Sequence, residues 1–152
     1  MAHPVERILV PVDFHVPSRA ALSLAAELAK PLAASVDVLH VIDLPVSRPL
    51  GSEAYVPLPG EYRHEVERVT KERLRDWLAT TEAPARSVVK IVEGKPAAEI
   101  VQYADEERVD LIVMGTDGDG GLSRLLTGSV AERVIRTAHC PVVTVRGPER
   151  AA

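Results

Sequence analysis

Asp110-Leu111-Ile112-Val113-Met114-Gly115 runs into Thr116-Asp117-Gly118-Asp119-Gly120-Gly121 and, after seven further residues, into Ser129-Val130-Ala131-Glu132. The run over 110–114, apolar from Leu111 onward, stops at a glycine and reads as a short strand covered on both faces. Ser129-x-x-Glu132 has the form of a capping box, which places a helix N-terminus at Gly128-Ser129. Val130, Val134, Ile135 and Ala138 are its apolar positions. A strand, a glycine-rich turn and a helix followed by another apolar run make a crossover unit, and such units build parallel sheets.

The same rhythm extends to both ends of the chain. Residues 7–12 read as a first strand, after which Ser18 caps a helix with Leu22, Ala25, Ala26, Ala29 and Leu32 or Ala33 at helical spacing. Residues 36–42 form a second strand, and 61–81 a helix with Val66, Val69, Leu74, Trp77 and Leu78 on one side. A third strand over 87–92 precedes Gly94-Lys95-Pro96, whose proline suits the first turn of a helix buried through Ala97, Ile100, Val101 and Ala104. Residues 141–145 are the fifth strand. Five strands and four helical connections predict an open α/β fold, with a parallel sheet and helices on both faces. Residues 1–152 are expected to form a single domain. The loop over 43–60 holds Pro45, Pro49, Gly51, Pro57, Pro59 and Gly60, so it can be neither helix nor interior strand. Loops of that length serve either as functional lids or as insertions.

Composition narrows the function. Aromatic residues make up only 3%, so Val, Ile, Leu and Ala must build the core. A net charge of -4 offers no broad attraction to nucleic acid or to anionic lipid. The longest stretch free of Asp, Glu, Lys and Arg is nine residues, 137–145, far below the ~20 apolar residues of a membrane span. The N-terminus has no extended apolar signal region, and Cys140 is a lone cysteine. A cytoplasmic protein is expected.

Ligands of open α/β sheets bind outside the carboxyl ends of the strands. Two segments lie there: Pro11-Val12-Asp13 after the first strand, and the glycine-rich stretch after the fourth. Glycine lets backbone N–H groups approach an anion, and the helix N-terminus at Gly128-Ser129 favours phosphate. The same glycines serve equally as turn residues, and Asp13 taken alone reads as a cap or turn residue. Neither a P-loop nor a Gly-x-Gly-x-x-Gly after the first strand occurs. The five histidines show no metal-ligand spacing, so no metal site is expected. Cys140 and Trp77 read as core residues. Glu67-Lys71 and Glu72-Asp76 mark a solvated helix face.

Gly115-x-x-Gly118, nine residues, then Gly128-Ser129 resembles the G-x-x-G-(nine)-G-S/T pattern of the nucleotide-binding universal stress proteins. The resemblance extends to 8–13, to Gly94-Lys95-Pro96, to 118–136 and to His139-Cys140-Pro141-Val142, covering residues 5–146. It implies a sheet ordered 3-2-1-4-5 with ATP across the carboxyl ends of strands 1 and 4. By the same resemblance Asp13 would contact the ribose or adenine side, with the backbone around Pro11 and Val12 as the floor and Val41 against the adenine. Met114 and Gly115 would approach the ribose, and Gly118, Gly128, Ser129 and Val130 would cradle the phosphates. The chain departs from the family where His and a basic residue are common, placing Asp117 and Asp119 there; Arg124 is a candidate to offset them, and Mg²⁺ is expected to accompany the nucleotide.

No residue is placed as an obvious general base or nucleophile, so no catalytic residue is assigned. The expectation is a homodimeric, ATP-binding regulator of the stress response, paired through strand 5. The alternatives are a dimeric interaction module without effective nucleotide binding, and a slow enzyme handling adenylyl or phosphoryl groups.

Overall fold

The five apolar runs become β1 (Arg7–Pro11), β2 (Ser35–Ile42), β3 (Val88–Glu93), β4 (Leu111–Gly115) and β5 (Val142–Val145). The helices are α1 (Val16–Leu32), α2 (Gly60–Ala79), α3 (Pro96–Glu106) and α4 (Ser129–Thr137). The computed structural model describes residues 3–44, 59–84, 87–116 and 128–147. The strands form one sheet in the order β3-β2-β1-β4-β5, every neighbouring pair parallel, as expected.

Alternation along the central strands divides the core into two layers. Ile8, Val10, Val36, Val38 and Val113 face Ala21, Leu22, Ala25 and Ala29 of α1 and Leu74 of α2. Leu9, Leu39, Ile112 and Met114 face Ala97, Ile100, Tyr103 and Ala104 of α3 and Ala131 and Val134 of α4. Each fully buried Val, Leu or Ile contributes about 1.5–3 kcal/mol relative to exposure. The alanines of α1 let its backbone lie close to the sheet.

Several local expectations change. Gly60, assigned above to the loop, opens α2. The rest of that loop, 45–58, lies outside the described residues, as does the stretch 117–127 with Asp117, Gly118, Asp119 and Arg124. α1 begins at Val16, ahead of Ser18, because Pro17 already has the backbone angle a first turn needs. Ser18 is therefore not its N-cap. In α4 the N-cap is Gly128 and Ser129 is the first helical residue. Glu132 N–H donates to the Gly128 carbonyl at 2.9 Å while the Glu132 carboxylate pairs with Arg136 at 2.8 Å, so no capping box forms.

Val69 and Ile135 are exposed, at 48% and 46%, against the expectation that both face inward. α2 has 20 residues and β3 only six, so a helix of about 30 Å runs past a strand of about 20 Å. Its carboxyl-terminal half, with Leu74, Trp77 and Leu78, makes the contact with the core. Ile135 lies about 100° round α4 from Val134, outside the stripe of Ala131 and Val134.

Among the described residues one carboxylate, that of Asp37, is enclosed within the sheet. Asp37, third residue of β2, is 1% exposed, and its Oδ2 accepts from Arg7 Nε at 2.7 Å and from Tyr103 Oη at 3.0 Å. Arg7 also bonds the Glu107 carbonyl at 3.1 Å and its carboxylate at 3.0 Å. Burial first, and then the bond to Asp37, pushes the Tyr103 hydroxyl up to about 12. This network sits toward the amino ends of the strands, away from their carboxyl ends. No helix among the described residues is long and apolar enough to cross a membrane.

Candidate functional site

The sheet order places β1 and β4 side by side, with Ile8 opposite Leu111 and Leu9 opposite Ile112. From β1 the chain crosses to β2 on one side, and from β4 to β5 on the other. The carboxyl ends of β1 and β4 therefore flank the point where the winding reverses, which is where open α/β sheets bind ligands. A crossover helix runs antiparallel to its strands, so the N-terminus of α4 lies at this same edge.

At the end of β1 the chain is held from two directions. Val12 N–H donates to the Leu39 carbonyl at 2.9 Å, and the Val12 carbonyl lies 2.8 Å from His40 Nδ1. Because that carbonyl can only accept, Nδ1 carries the proton. Burial lowers the His40 pKa below the ordinary histidine value, with Arg73 also opposing protonation, so the ring is neutral at pH 7. Asp13 follows. Its Oδ1 accepts from Ser18 Oγ at 2.6 Å and from His15 N–H at 3.1 Å, while its own N–H donates to Ser18 Oγ at 3.1 Å. Oδ2 lies 3.2 Å from His15 Nδ1. Partial burial pushes this carboxyl up, but the Ser18 and His15 hydrogen bonds outweigh it and hold the group below its ordinary value.

Phe14 completes the turn at a φ of 70°, the left-handed region that a side chain adopts only at a cost of about 1–2 kcal/mol. Its ring is fixed by its neighbours. The His40 ring centre lies at 4.5 Å, Trp77 stands edge-on at 6.1 Å, and the Arg73 guanidinium lies 4.3 Å above the face. Cation–π and aromatic contacts of this kind offset backbone strain of that size. Trp77, expected in the core, is half-buried and also carries Arg19 at 5.2 Å from its ring centre.

Gly115, at the end of β4, has a different constraint. A Cβ there would stand 2.5 Å from the backbone carbon of Pro17, so the glycine is required by the close passage of α1. Packing explains this glycine without a ligand. The Met114 side chain is buried at 4% in the second core layer, so its main chain is what remains to face the edge. Val41 is half-buried beside Val92 of β3. Across the ends of β2 and β3, Lys95 pairs with Asp43 at 2.8 Å.

Gly128 is buried at the start of α4, with φ -50° and ψ 154°. Any residue can adopt that conformation, so backbone freedom does not explain the glycine. Ser129 is exposed and Val130 half-buried against the second core layer. Thus Pro11, Val12, Asp13, Met114 and Gly115 lie at one edge, with Gly128, Ser129 and Val130 on the helix that starts there; Gly118 is outside the described residues. Of the side chains that hold this turn, His40 and Phe14 are not singled out by the sequence, and Ser18 reads there as a helix cap instead of a partner of Asp13. The signals were a serine five residues after Asp13 and an isolated histidine at an inward position of β2.

The chain matches the Universal stress protein family over residues 4–146. It is 39% identical over 151 residues to a universal stress protein of Methanocaldococcus jannaschii, covering 95% of this chain and 84% of that one. The structure of universal stress protein UspA from Lactobacillus plantarum superposes with a TM-score of 0.72 at 29% identity, covering 95% of this chain and all of the other (100%). A universal stress protein from Archaeoglobus fulgidus in complex with dAMP superposes with a TM-score of 0.60 at 25% identity, over 94% of this chain and 99% of that one. With its strand order and nearly its whole length shared with these proteins, the chain belongs to the universal stress protein family.

Proposed function

We propose that this protein binds an adenine nucleotide, ATP with Mg²⁺, across the carboxyl ends of β1 and β4, and acts as a dimeric, nucleotide-responsive regulator. The observation that carries the reading is a helix N-terminus opened by a buried glycine, Gly128, at the switch point between β1 and β4. The N–H groups of the first turn of α4 and the positive end of its dipole suit phosphate. The dAMP complex of the Archaeoglobus fulgidus relative supports an adenine nucleotide as the ligand class. Nothing in the reading requires catalysis. Mass spectrometry of the small molecule retained after gentle purification tests it: ATP, ADP or AMP supports nucleotide binding, and an empty protein that also fails to take up added ATP favours the interaction module.

Dimerisation is proposed through β5, the edge strand beside β4. Ile112 N–H donates to the Pro141 carbonyl and Thr116 N–H to the Val145 carbonyl, with Val143 opposite Val113. By the alternation of a parallel ladder, Val143 turns its polar backbone toward β4 while Val142 and Thr144 turn theirs to the open edge. An unpaired apolar edge invites association unless it is satisfied. Thr144→Pro removes an edge donor without touching the β4 ladder, and it is expected to yield a monomer in sedimentation at tens of micromolar. A monomeric wild type at that concentration contradicts the dimer.

The two carboxylates of Asp117 and Asp119 predict a dependence on metal. Beside a triphosphate they repel it, and Mg²⁺ shared between carboxylate and phosphate oxygens turns repulsion into coordination. Asp119→Lys is expected to improve ATP binding in EDTA and to reduce the gain from Mg²⁺. Equal affinity in EDTA and in millimolar Mg²⁺, unchanged by the substitution, removes both residues from the phosphate site.

A further inference from the structure

We infer that Ser18 is the positioning residue that sets the Asp13 carboxylate for its ligand; the inference rests on the nucleotide reading above and assigns a role within that site. Ser18 is 4% exposed and lies inside the first turns of α1. A buried hydroxyl in a helix costs desolvation, and alanine is the better helix former at such a position. What the hydroxyl does here is specific. It donates to Asp13 Oδ1 at 2.6 Å and accepts from Asp13 N–H at 3.1 Å, so one atom fixes both the backbone and the side chain of the same residue.

The two carboxylate oxygens are thereby made unequal. Oδ1 takes two donors, Ser18 Oγ and His15 N–H, both from the start of α1. Oδ2 has His15 Nδ1 at 3.2 Å and belongs to a side chain that is 56% exposed. A ligand hydroxyl or amino group that reaches Asp13 therefore meets Oδ2, held at a fixed angle by the bonds to its twin. The opposite side of the turn is pinned by His40 on the Val12 carbonyl, and the strained Phe14 links the two. Without the Ser18 hydroxyl, Asp13 N–H loses that acceptor and Oδ1 is left with the longer bond from His15 N–H, so the carboxylate is held less tightly.

A double-mutant cycle on the full chain tests this, with ATP in millimolar Mg²⁺ as the probe and calorimetry as the readout. Ser18→Ala is expected to weaken ATP about tenfold, the scale of a hydrogen bond to a charged group. Asp13→Ala is expected to weaken it at least as much, and adding Ser18→Ala to Asp13→Ala to change affinity less than about twofold, because the serine acts through the carboxylate. Equal losses in both backgrounds mean that Ser18 only shapes the turn, and they overturn the inference. So does an Asp13→Ala protein that binds ATP like wild type, which leaves the nucleotide reading standing. A wild type that binds no ATP removes that reading and this one with it.

Discussion

Arg7→Met is expected to destabilise the fold by about 3 kcal/mol, the lower end of the ~3–5 kcal/mol seen when one member of a buried ion pair is removed. Asp37 is 1% exposed, and among the described residues its Oδ1 has no hydrogen-bond partner. Its compensation is therefore concentrated on Oδ2, where Arg7 Nε lies at 2.7 Å and Tyr103 Oη at 3.0 Å. Methionine keeps the aliphatic stem of Arg7 but leaves the carboxylate, among the described residues, with the neutral Tyr103 hydroxyl as its donor. The Arg7 side chain is 31% exposed, so water enters where the guanidinium was, which holds the loss toward the lower end. Adding Asp37→Asn should recover more than half of it, since the charge disappears and the Tyr103 bond can persist. Urea unfolding of the three proteins measures both effects. A cost below about 0.5 kcal/mol for Arg7→Met, the size of an exposed pair, would show that Asp37 does not depend on Arg7.

Gly128→Val is expected to abolish ATP binding, a loss of at least about 100-fold, while the protein stays folded. The backbone at 128 lies in a region that valine adopts readily, so the strain that usually accompanies glycine replacement is absent. Gly128 is also the N-cap, where valine costs the helix about 1 kcal/mol relative to good caps and less relative to glycine. What valine adds is an isopropyl group at a buried position beside the first N–H groups of α4. On the proposed reading, a phosphate held by those groups competes with the isopropyl group for space. Equilibrium dialysis with labelled ATP, alongside a melting curve, separates the two effects. Unchanged binding in a folded variant would move the phosphates away from this helix.

The periodicities carried the architecture and left side-chain partnerships unread. Leu9, Ile112 and Val113 sit in continuous apolar runs, and such runs identify strands covered on both faces whatever the order of the sheet. Arg7 and Asp37 lie 30 residues apart, and they meet because β1 and β2 pair with Arg7 opposite Ser35. A register shifted by one would turn Asp37 to the other face, so its partner was not readable before the pairing was known. The signal was a charged residue inside Val36-Asp37-Val38-Leu39. Ser18 departs from its expected role for a different reason. A serine before a helical pattern is a cap by default, but Pro17 starts the helix earlier and turns the hydroxyl back to Asp13. Gly115 has the same lesson in reverse: in sequence it reads as the first glycine of a pattern that resembles a nucleotide motif, and the atom that demands it is in Pro17.

Titration of ATP into the nucleotide-free wild-type protein by calorimetry, in millimolar Mg²⁺, tests the central proposal most directly. Binding with one site per chain, saturating at or below millimolar ATP, is the predicted result. No heat of binding with ATP, ADP, AMP or cyclic AMP at millimolar concentration would contradict it and leave the fold as an interaction module.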